Sequence, residues 1–343
     1  MTATAIYLIP VLGIGGVERA AASLDSLAPS NFDLRVLTIK NYEATHRRLA
    51  NRPTFLDYCR CLRLLCKDAP DILVVSLWRS CFVGLIFKIL RVKYKLVVFL
   101  HFPSSVHVLD FVGTALASLV ASAVWADSTR TASRRFIARQ HGPPKVISFV
   151  TQRFLPNSIS KVRPIFLFWG RLHPQKNLPR ALRLFKKIRE HFTNDEAHFY
   201  IIGPDNGDLS RVIENVKSLG LNDSVSLLGS KSFDEIRDLA KLGSFYLQTS
   251  ILEGMAMSVV EAMQLGLVPV VTPVGEIDNY AVDGKNSVMI RDDSAAVDTI
   301  VSIIRDESRY RSLRNNAVSS WASAELFSES FLKGCKAVMD CHE

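Results

Sequence analysis

The stretch SFYLQTSILEGMAMSVVEAMQLGLVPVVT, residues 244–272, combines three local patterns. Ser244–Leu247 is a short apolar and aromatic run that reads as a buried strand. Gln248–Glu253 then reads as its exit loop, and Gly254 lets the backbone approach closely whatever lies beside it. A helix begins near Met257, and Val268–Thr272 is a second strand-like run. The segment is oily, yet it carries Glu253 at the loop and Glu261 about one turn into the helix. Carboxylates accept hydrogen bonds only and suit the paired hydroxyls of a sugar, while a helix start favours a phosphate. Taken alone, the same two residues fit an ordinary helix, with Glu253 meeting the dipole and Glu261 solvated.

The alternation extends outward in both directions. In the first half Ala5–Pro10, Leu34–Ile39, Ile72–Ser76, Leu96–Leu100, Ala123–Ala126 and Val146–Val150 read as strands. In the second half Ile165–Trp169, His198–Ile202, Val225–Leu228 and Val288–Ile290 join the two strands of the opening stretch. The runs are continuous and rich in Val, Ile and Leu, as in parallel strands covered on both faces. Helical patterns fill the gaps, which predicts an α/β chain of two Rossmann-like, doubly wound domains. The pattern lapses over Thr151–Pro164, which reads as the linker. The expected division is residues 1–155, residues 156–320, and a final helix at 321–343 that could pack back toward the first domain. Ligands of such sheets sit at the carboxyl ends of the strands, so two facing sheets would enclose a deep cleft.

With 343 residues, 48% of them hydrophobic, and no low-complexity tract, the chain is expected to be globular rather than disordered. The N-terminus lacks the basic start of a signal peptide. The uncharged runs Leu96–Leu109 and Phe111–Ala126 fall short of the roughly 18–20 residues of a membrane span or are broken by polar residues. The six cysteines, at 59, 61, 66, 81, 335 and 341, lack zinc-site spacing and read as reduced thiols of a cytoplasmic protein. Charge is uneven. Residues 1–160 carry 20 Lys/Arg against 9 Asp/Glu, whereas the rest carry 22 against 24. The excess is densest over Arg47–Lys95, with 11 basic residues against 3 acidic. Such a field suits a polyanion, and it equally fits Arg-rich solvated helices. No nucleic-acid reading module is recognisable, and the cations are not interleaved with aromatics, so nucleic acid is not an expected partner.

Two further motifs lie at strand ends. GIGGVERA, Gly13–Ala20, puts a glycine loop ahead of a helix, which offers N–H groups to a phosphate or simply makes a tight turn. WGRLHPQKN, Trp169–Asn177, puts Arg171 and Lys176 in a strand's exit loop, as phosphate-binding cations or as plain surface charges.

In order, GGVE, GRLHPQKN, EGMAMSVVEAM, Gly266–Pro269 and Gly275–Glu276 resemble the retaining GT-B glycosyltransferases of the group 1, or family 4, type. The likeness is specific over residues 164–290. Over residues 1–160 it rests on GGVE, the His101 loop and the strand–helix rhythm. Ser287 stands where such enzymes often carry a glycine after Asn286, and VGEI has one glycine where many have two. The resemblance implies a GT-B fold and transfer of a sugar from a nucleotide-sugar, with retention and without a metal or other cofactor. The lack of an Asp-x-Asp motif agrees with that. It implies that Glu261 accepts from ribose hydroxyls and that Glu253 holds the sugar. Gly170, Gly254, Met255, Ala256, Met257 and Ser258 would line the donor, with Gly15 and Gly16 approaching its phosphates. Arg171 and Lys176 would stabilise the leaving diphosphate, and His101 would touch the sugar near the reacting centre.

Relatives of this type act on lipid-linked or lipopolysaccharide acceptors, which implies surface polysaccharide synthesis at the inner face of the cytoplasmic membrane. Glu18, Arg60, Arg63, Lys67, Lys88, Arg91 and Lys93 would then face the acceptor or an anionic membrane surface. The segment Leu77–Lys95 also reads as a core helix with a basic end. Two alternatives stay open: a nucleotide-sugar-binding partner subunit without turnover, and a GT-B epimerase that consumes donor without acceptor.

Overall fold

A computed structural model describes residues 3–340, apart from 13–14, 25–31, 41–52, 92, 103, 106, 135–142, 159–160 and 193–195. The chain forms two compact units, residues 1–152 with 325–343 and residues 153–324.

The first unit contains β1 (Ala3–Val11), α1 (Gly16–Leu24), β2 (Phe32–Lys40), α2 (Phe55–Asp68), β3 (Ile72–Ser76) and α3 (Leu77–Leu90). It continues through β4 (Lys95–Leu100), α4 (Val108–Val120), β5 (Ala123–Ala126), α5 (Thr129–Arg134) and β6 (Lys145–Val146). Its parallel sheet has the order β2-β1-β3-β4-β5-β6. The reversal of direction beside β1 is what sends successive crossover helices to opposite faces. β3 and β4 are buried on both faces, which is why their sequences alternate so little. Local chemistry sets the helix starts. Thr54 and Asp57 form a reciprocal capping box that begins α2.

The second unit repeats the plan with β7 (Ile165–Trp169), α6 (Leu178–Arg189), β8 (His198–Ile202), α7 (Leu209–Ser218), β9 (Val225–Leu227) and α8 (Phe233–Ala240). There follow β10 (Phe245–Gln248), α9 (Met257–Gln264), β11 (Val268–Val271), α10 (Ile277–Tyr280), β12 (Val288–Met289), α11 (Asp293–Arg305) and α12 (Glu307–Ser319). Its sheet order is β12-β11-β10-β7-β8-β9, again parallel. Phe166, Phe185, Phe199 and Phe245 are fully buried and form its aromatic centre.

The last helix, α13 (Phe327–Asp340), belongs to the first unit. Phe327 and Phe331 are fully buried against Tyr7, and Phe327 also stacks on Phe99. Gly334 is needed there, since a Cβ would stand 2.8 Å from the Trp125 ring. This return corrects one strand expectation. Of Val146–Val150 only Val146, with Lys145, pairs in the sheet. Beyond it Ser148 Oγ donates to the Glu325 carbonyl, and the Phe327 N–H donates to the Val150 carbonyl at 2.7 Å. The backbone groups that would continue β6 are taken by the returning chain.

Burial pushes the Cys61 and Cys335 thiols up to about 12, so both stay protonated core residues. Among the described residues no helix is long and apolar enough to cross a membrane.

Phe327→Ala should destabilise the first unit by about 3–5 kcal/mol. The readout is the urea midpoint. An unchanged midpoint would mean that α13 is not part of that core.

Candidate active site

In the second unit the exit loops of β7, β8 and β10 are stitched together. Gly170 N–H donates to the Ile202 carbonyl and Leu172 N–H to the Pro204 carbonyl. Gly203 adopts φ +147°, and a Cβ on it would lie 1.8 Å from the Gly170 oxygen. Only a bare backbone fits that approach. A short 3₁₀ turn, Pro174–Lys176, follows Arg171 and is capped by His173 Nδ1, which accepts from the Gln175 N–H at 3.2 Å. The turn is tied to the β10 loop. Ile251 N–H donates to the Gln175 carbonyl at 2.8 Å, and Gln175 Nε2 donates to the Leu252 carbonyl at 2.5 Å.

These ties carry Lys176 to Glu253, with Nζ 2.6 Å from Oε1 and only 15% and 8% of the two side chains exposed. Gln248 Nε2 also donates to Glu253 Oε1, at 3.2 Å. Gln248 Oε1 accepts from Ser258 Oγ at 3.1 Å and lies 2.9 Å from the Tyr246 hydroxyl. Glu253 Oε2 has no partner among the described residues. One lysine donor is used by Glu253, so two of its three remain.

Glu261, 2% exposed, accepts from the Trp169 indole N–H at 2.8 Å. Tyr246 donates to the Trp169 carbonyl at 3.0 Å, which holds that tryptophan in turn. Burial raises the Tyr246 and Tyr280 hydroxyls well above their ordinary pKa, so both act as neutral donors.

The loop before α9 is fixed from below. Glu276 N–H donates to the Gly254 carbonyl at 2.9 Å and Tyr280 hydroxyl to the Met255 carbonyl at 3.0 Å. Gly275, at φ +61°, lets that contact form, since a Cβ would sit 2.3 Å from the Glu253 carbonyl. Ala256 stands in the left-handed region at φ +56° and provides no side-chain cap. The N–H groups of Met255, Ala256, Met257 and Ser258 therefore have no acceptor among the described residues. Four free donors at a helix start make a candidate anion site.

In the first unit His101 directly follows β4 and is 5% exposed. Its Nε2 is 2.8 Å from Ser76 Oγ, which is itself 2.8 Å from the Tyr7 hydroxyl. Nδ1 lies 3.7 Å from Asp127 Oδ2 and makes no hydrogen bond among the described residues. Burial raises the Tyr7 hydroxyl above its ordinary pKa, so it stays neutral. His101 also faces a pocket lined by Trp78, Phe102, His107, Asp110 and Thr114.

Lys176, Glu253, Glu261, Gly170, Gly254 and Met255–Ser258 thus share one site in the second unit. Arg171 is exposed beside it and has no ion-pair partner among the described residues. His101, Gly15, Gly16 and Glu18 lie in the first unit. Of the GIGG loop, Gly13 and Ile14 lie outside the described residues. Glu18 folds back over Gly15, so that a Cβ there would lie 2.3 Å from its carboxylate. An acid of the chain itself thereby faces the glycine turn. Arg60, Arg63, Lys67 and Lys93 are exposed, while Lys88 donates to the Tyr94 carbonyl at 3.0 Å. Sequence reasoning missed Trp169, Tyr246, Gln248, Ser76 and Asp127. Each ends a strand, follows one, or points inward from one, and strand-end position was the available signal.

The two parallel α/β units have the GT-B fold. Anabaena HepE in complex with UDP and glucose superposes with a TM-score of 0.75 at 17% identity, covering 98% of this chain and 100% of that one. Residues 152–319, just under half of the chain, match the family model "Glycosyl transferases group 1". The "Uncharacterized glycosyltransferase MJ1178" of Methanocaldococcus jannaschii is 29% identical over 44% of this chain and 41% of its own length. The "Phosphatidylinositol N-acetylglucosaminyltransferase GPI3 subunit" of Saccharomyces cerevisiae is 26% identical over 53% and 44%. The matched part of the chain spans less than half the length of these two relatives.

Lys176→Met should cost the second unit about 1–3 kcal/mol, because Glu253 is left buried and unpaired. Adding Glu253→Gln should restore much of the loss. A double-variant cycle in urea measures the coupling, and strict additivity would rule the pair out as a structural tie.

Proposed function

We propose that the protein transfers a sugar from a nucleotide-sugar to a lipid-linked or lipopolysaccharide-type acceptor, with retention and without a metal. The observation that carries this reading is the run of free N–H groups at the start of α9, flanked by the Lys176–Glu253 pair and followed by Glu261. A diphosphate fits the N–H groups and the helix dipole. Lys176 adds its two remaining protons and Arg171 an unpaired guanidinium. These fixed cations and dipoles face the oxygen on which charge grows as the glycosidic bond breaks, and such preorganised groups contribute most to lowering a barrier of that kind. Glu253 Oε2 is open to a sugar hydroxyl, and Glu261, held by the Trp169 indole, would accept from the ribose hydroxyls.

The HepE complex, which contains UDP and glucose, supports the donor class. The yeast relative, whose name specifies a phosphatidylinositol acceptor, supports a lipid-linked one. In the first unit the pocket beside His101 is the proposed acceptor site. Because that relative is named as a subunit, a binding role within a larger transferase is the second reading. It predicts donor binding without turnover by the isolated chain.

Calorimetry with a panel of nucleoside diphosphates and nucleotide-sugars tests the donor site. One base should bind selectively. Glu261→Gln keeps an acceptor for the Trp169 indole yet should weaken binding roughly ten- to a hundredfold, the range of a lost charged hydrogen bond. No binding across the panel, or equal binding by the variant, would overturn the assignment. Glu253→Gln and His101→Ala should lower kcat by about a hundredfold or more while changing donor affinity less. The assay is acceptor-dependent release of nucleotide. Donor consumption without acceptor would instead mark an epimerase.

A further inference from the structure

Helix α4 is folded inside out. Its buried positions are Asp110, Gly113, Thr114, Ala117 and Ser118, all polar or small. Its outer face carries Val108, Leu109, Phe111, Val112, Leu116 and Leu119, all exposed. A helix on the surface of a water-soluble domain has the opposite arrangement. The buried polar groups are satisfied locally. Thr114 Oγ1 donates to Asp110 Oδ1 at 3.2 Å, and Ser118 Oγ donates to the Thr114 carbonyl at 2.7 Å. The small residues serve packing, since a Cβ on Gly113 would lie 2.8 Å from the Phe82 ring of α3.

That contact sets the register between the two helices. Both follow adjacent parallel strands, β3 and β4, and so run the same way. Ile86, Ile89 and Leu90 of α3 therefore stand at the level of the last turns of α4, and they too are exposed, Ile89 by 82% and Leu90 by 61%. The two helices present one continuous apolar face. At its edge, just past the end of α3, stand Arg91 and Lys93. Between Asp71 and Asp127 the sole carboxylate is Asp110, and it is buried. The face is thus apolar at its centre and cationic at its rim, and neither helix carries an exposed carboxylate.

We propose that this face of α3 and α4 docks in the plane of an anionic lipid bilayer. The Val, Leu, Ile and Phe side chains enter the boundary between headgroups and acyl chains, and Arg91 and Lys93 engage the headgroup phosphates. With 14 and 13 residues the helices are too short to span a bilayer, so they lie on it. A protein partner would meet the apolar rows, yet it would not account for a rim of a single charge sign. The proposal shares no residue with the donor site and stands whether or not the transferase reading holds.

The test is sedimentation of the full chain with vesicles of phosphatidylcholine alone and of phosphatidylcholine with phosphatidylglycerol. Wild type should bind the anionic vesicles, bind the neutral ones more weakly, and lose affinity as salt rises. Leu109→Glu/Leu116→Glu should reduce binding at least about tenfold, with an unchanged urea midpoint. Phe111→Ser, a milder change on the same face, should give a smaller loss in the same direction. Absence of wild-type binding to anionic vesicles would overturn the proposal, as would equal binding by both variants. So would a dimer, seen by light scattering, that the variants dissociate while vesicle binding stays unaffected. None of these readouts involves a nucleotide, so a failure here leaves the donor-site reading untouched.

Discussion

The 2.6 Å ion pair between Lys176 and Glu253 is the interaction around which the second unit's site is organised. It joins a loop after β7 to a loop after β10, and it places two charges where little water reaches. A carboxylate so placed needs partners, and Lys176 and Gln248 supply them on a single oxygen. The loop that carries Glu253 is then fixed from several sides, by Gln175, by Glu276 and by the Tyr280 hydroxyl. Those ties use carbonyl groups and leave the N–H groups of Met255–Ser258 unengaged. The open row of N–H groups is thus a consequence of how the loop is held. A side-chain cap at position 256 would have filled it, and Ala256 cannot cap.

The first unit uses its polar groups differently. His101, Ser76, Tyr7 and Asp127 come from four strand ends or strand interiors and meet in a place with almost no solvent. Their roles are coupled by contact. Ser76 lies between His101 and Tyr7, and Asp127 stands beside the other ring nitrogen of the histidine. Strand β3 passes into α3 without a loop, and Leu77 takes up the change of direction at φ +66°. That conformation costs a non-glycine residue about 1–2 kcal/mol, and it holds Trp78 at the mouth of the pocket beside His101.

Most of the architecture was legible because buried parallel strands leave a direct trace. Ile72–Ser76, Ala123–Ala126, Ile165–Trp169 and His198–Ile202 have the same bounds in the structure as in the sequence reading. The start of α9 at Met257 was legible from the glycine and the apolar period after it. Val146–Val150 misled, since its apolar residues are buried by α13, nearly two hundred residues later, rather than by sheet neighbours. Arg171, Lys176, Glu253 and Glu261 were recognisable as chemistry-bearing types at strand ends. That Lys176 reaches Glu253, and that Trp169 holds Glu261, was not, because both contacts span about eighty residues or more.

By itself, the sequence determined two parallel α/β sheets, the strand ends that carry chemistry, and the basic bias of the first half. Each depends on local period, residue type or composition. Tertiary structure alone decided which charges pair, which N–H groups stay open, and which side of α4 meets water. The last case shows the reason most plainly. The apolar pattern of α4 fits a core helix in either orientation, and it was the close approach of Phe82 to Gly113 that turned its small and polar residues inward and left Val, Leu and Phe outside.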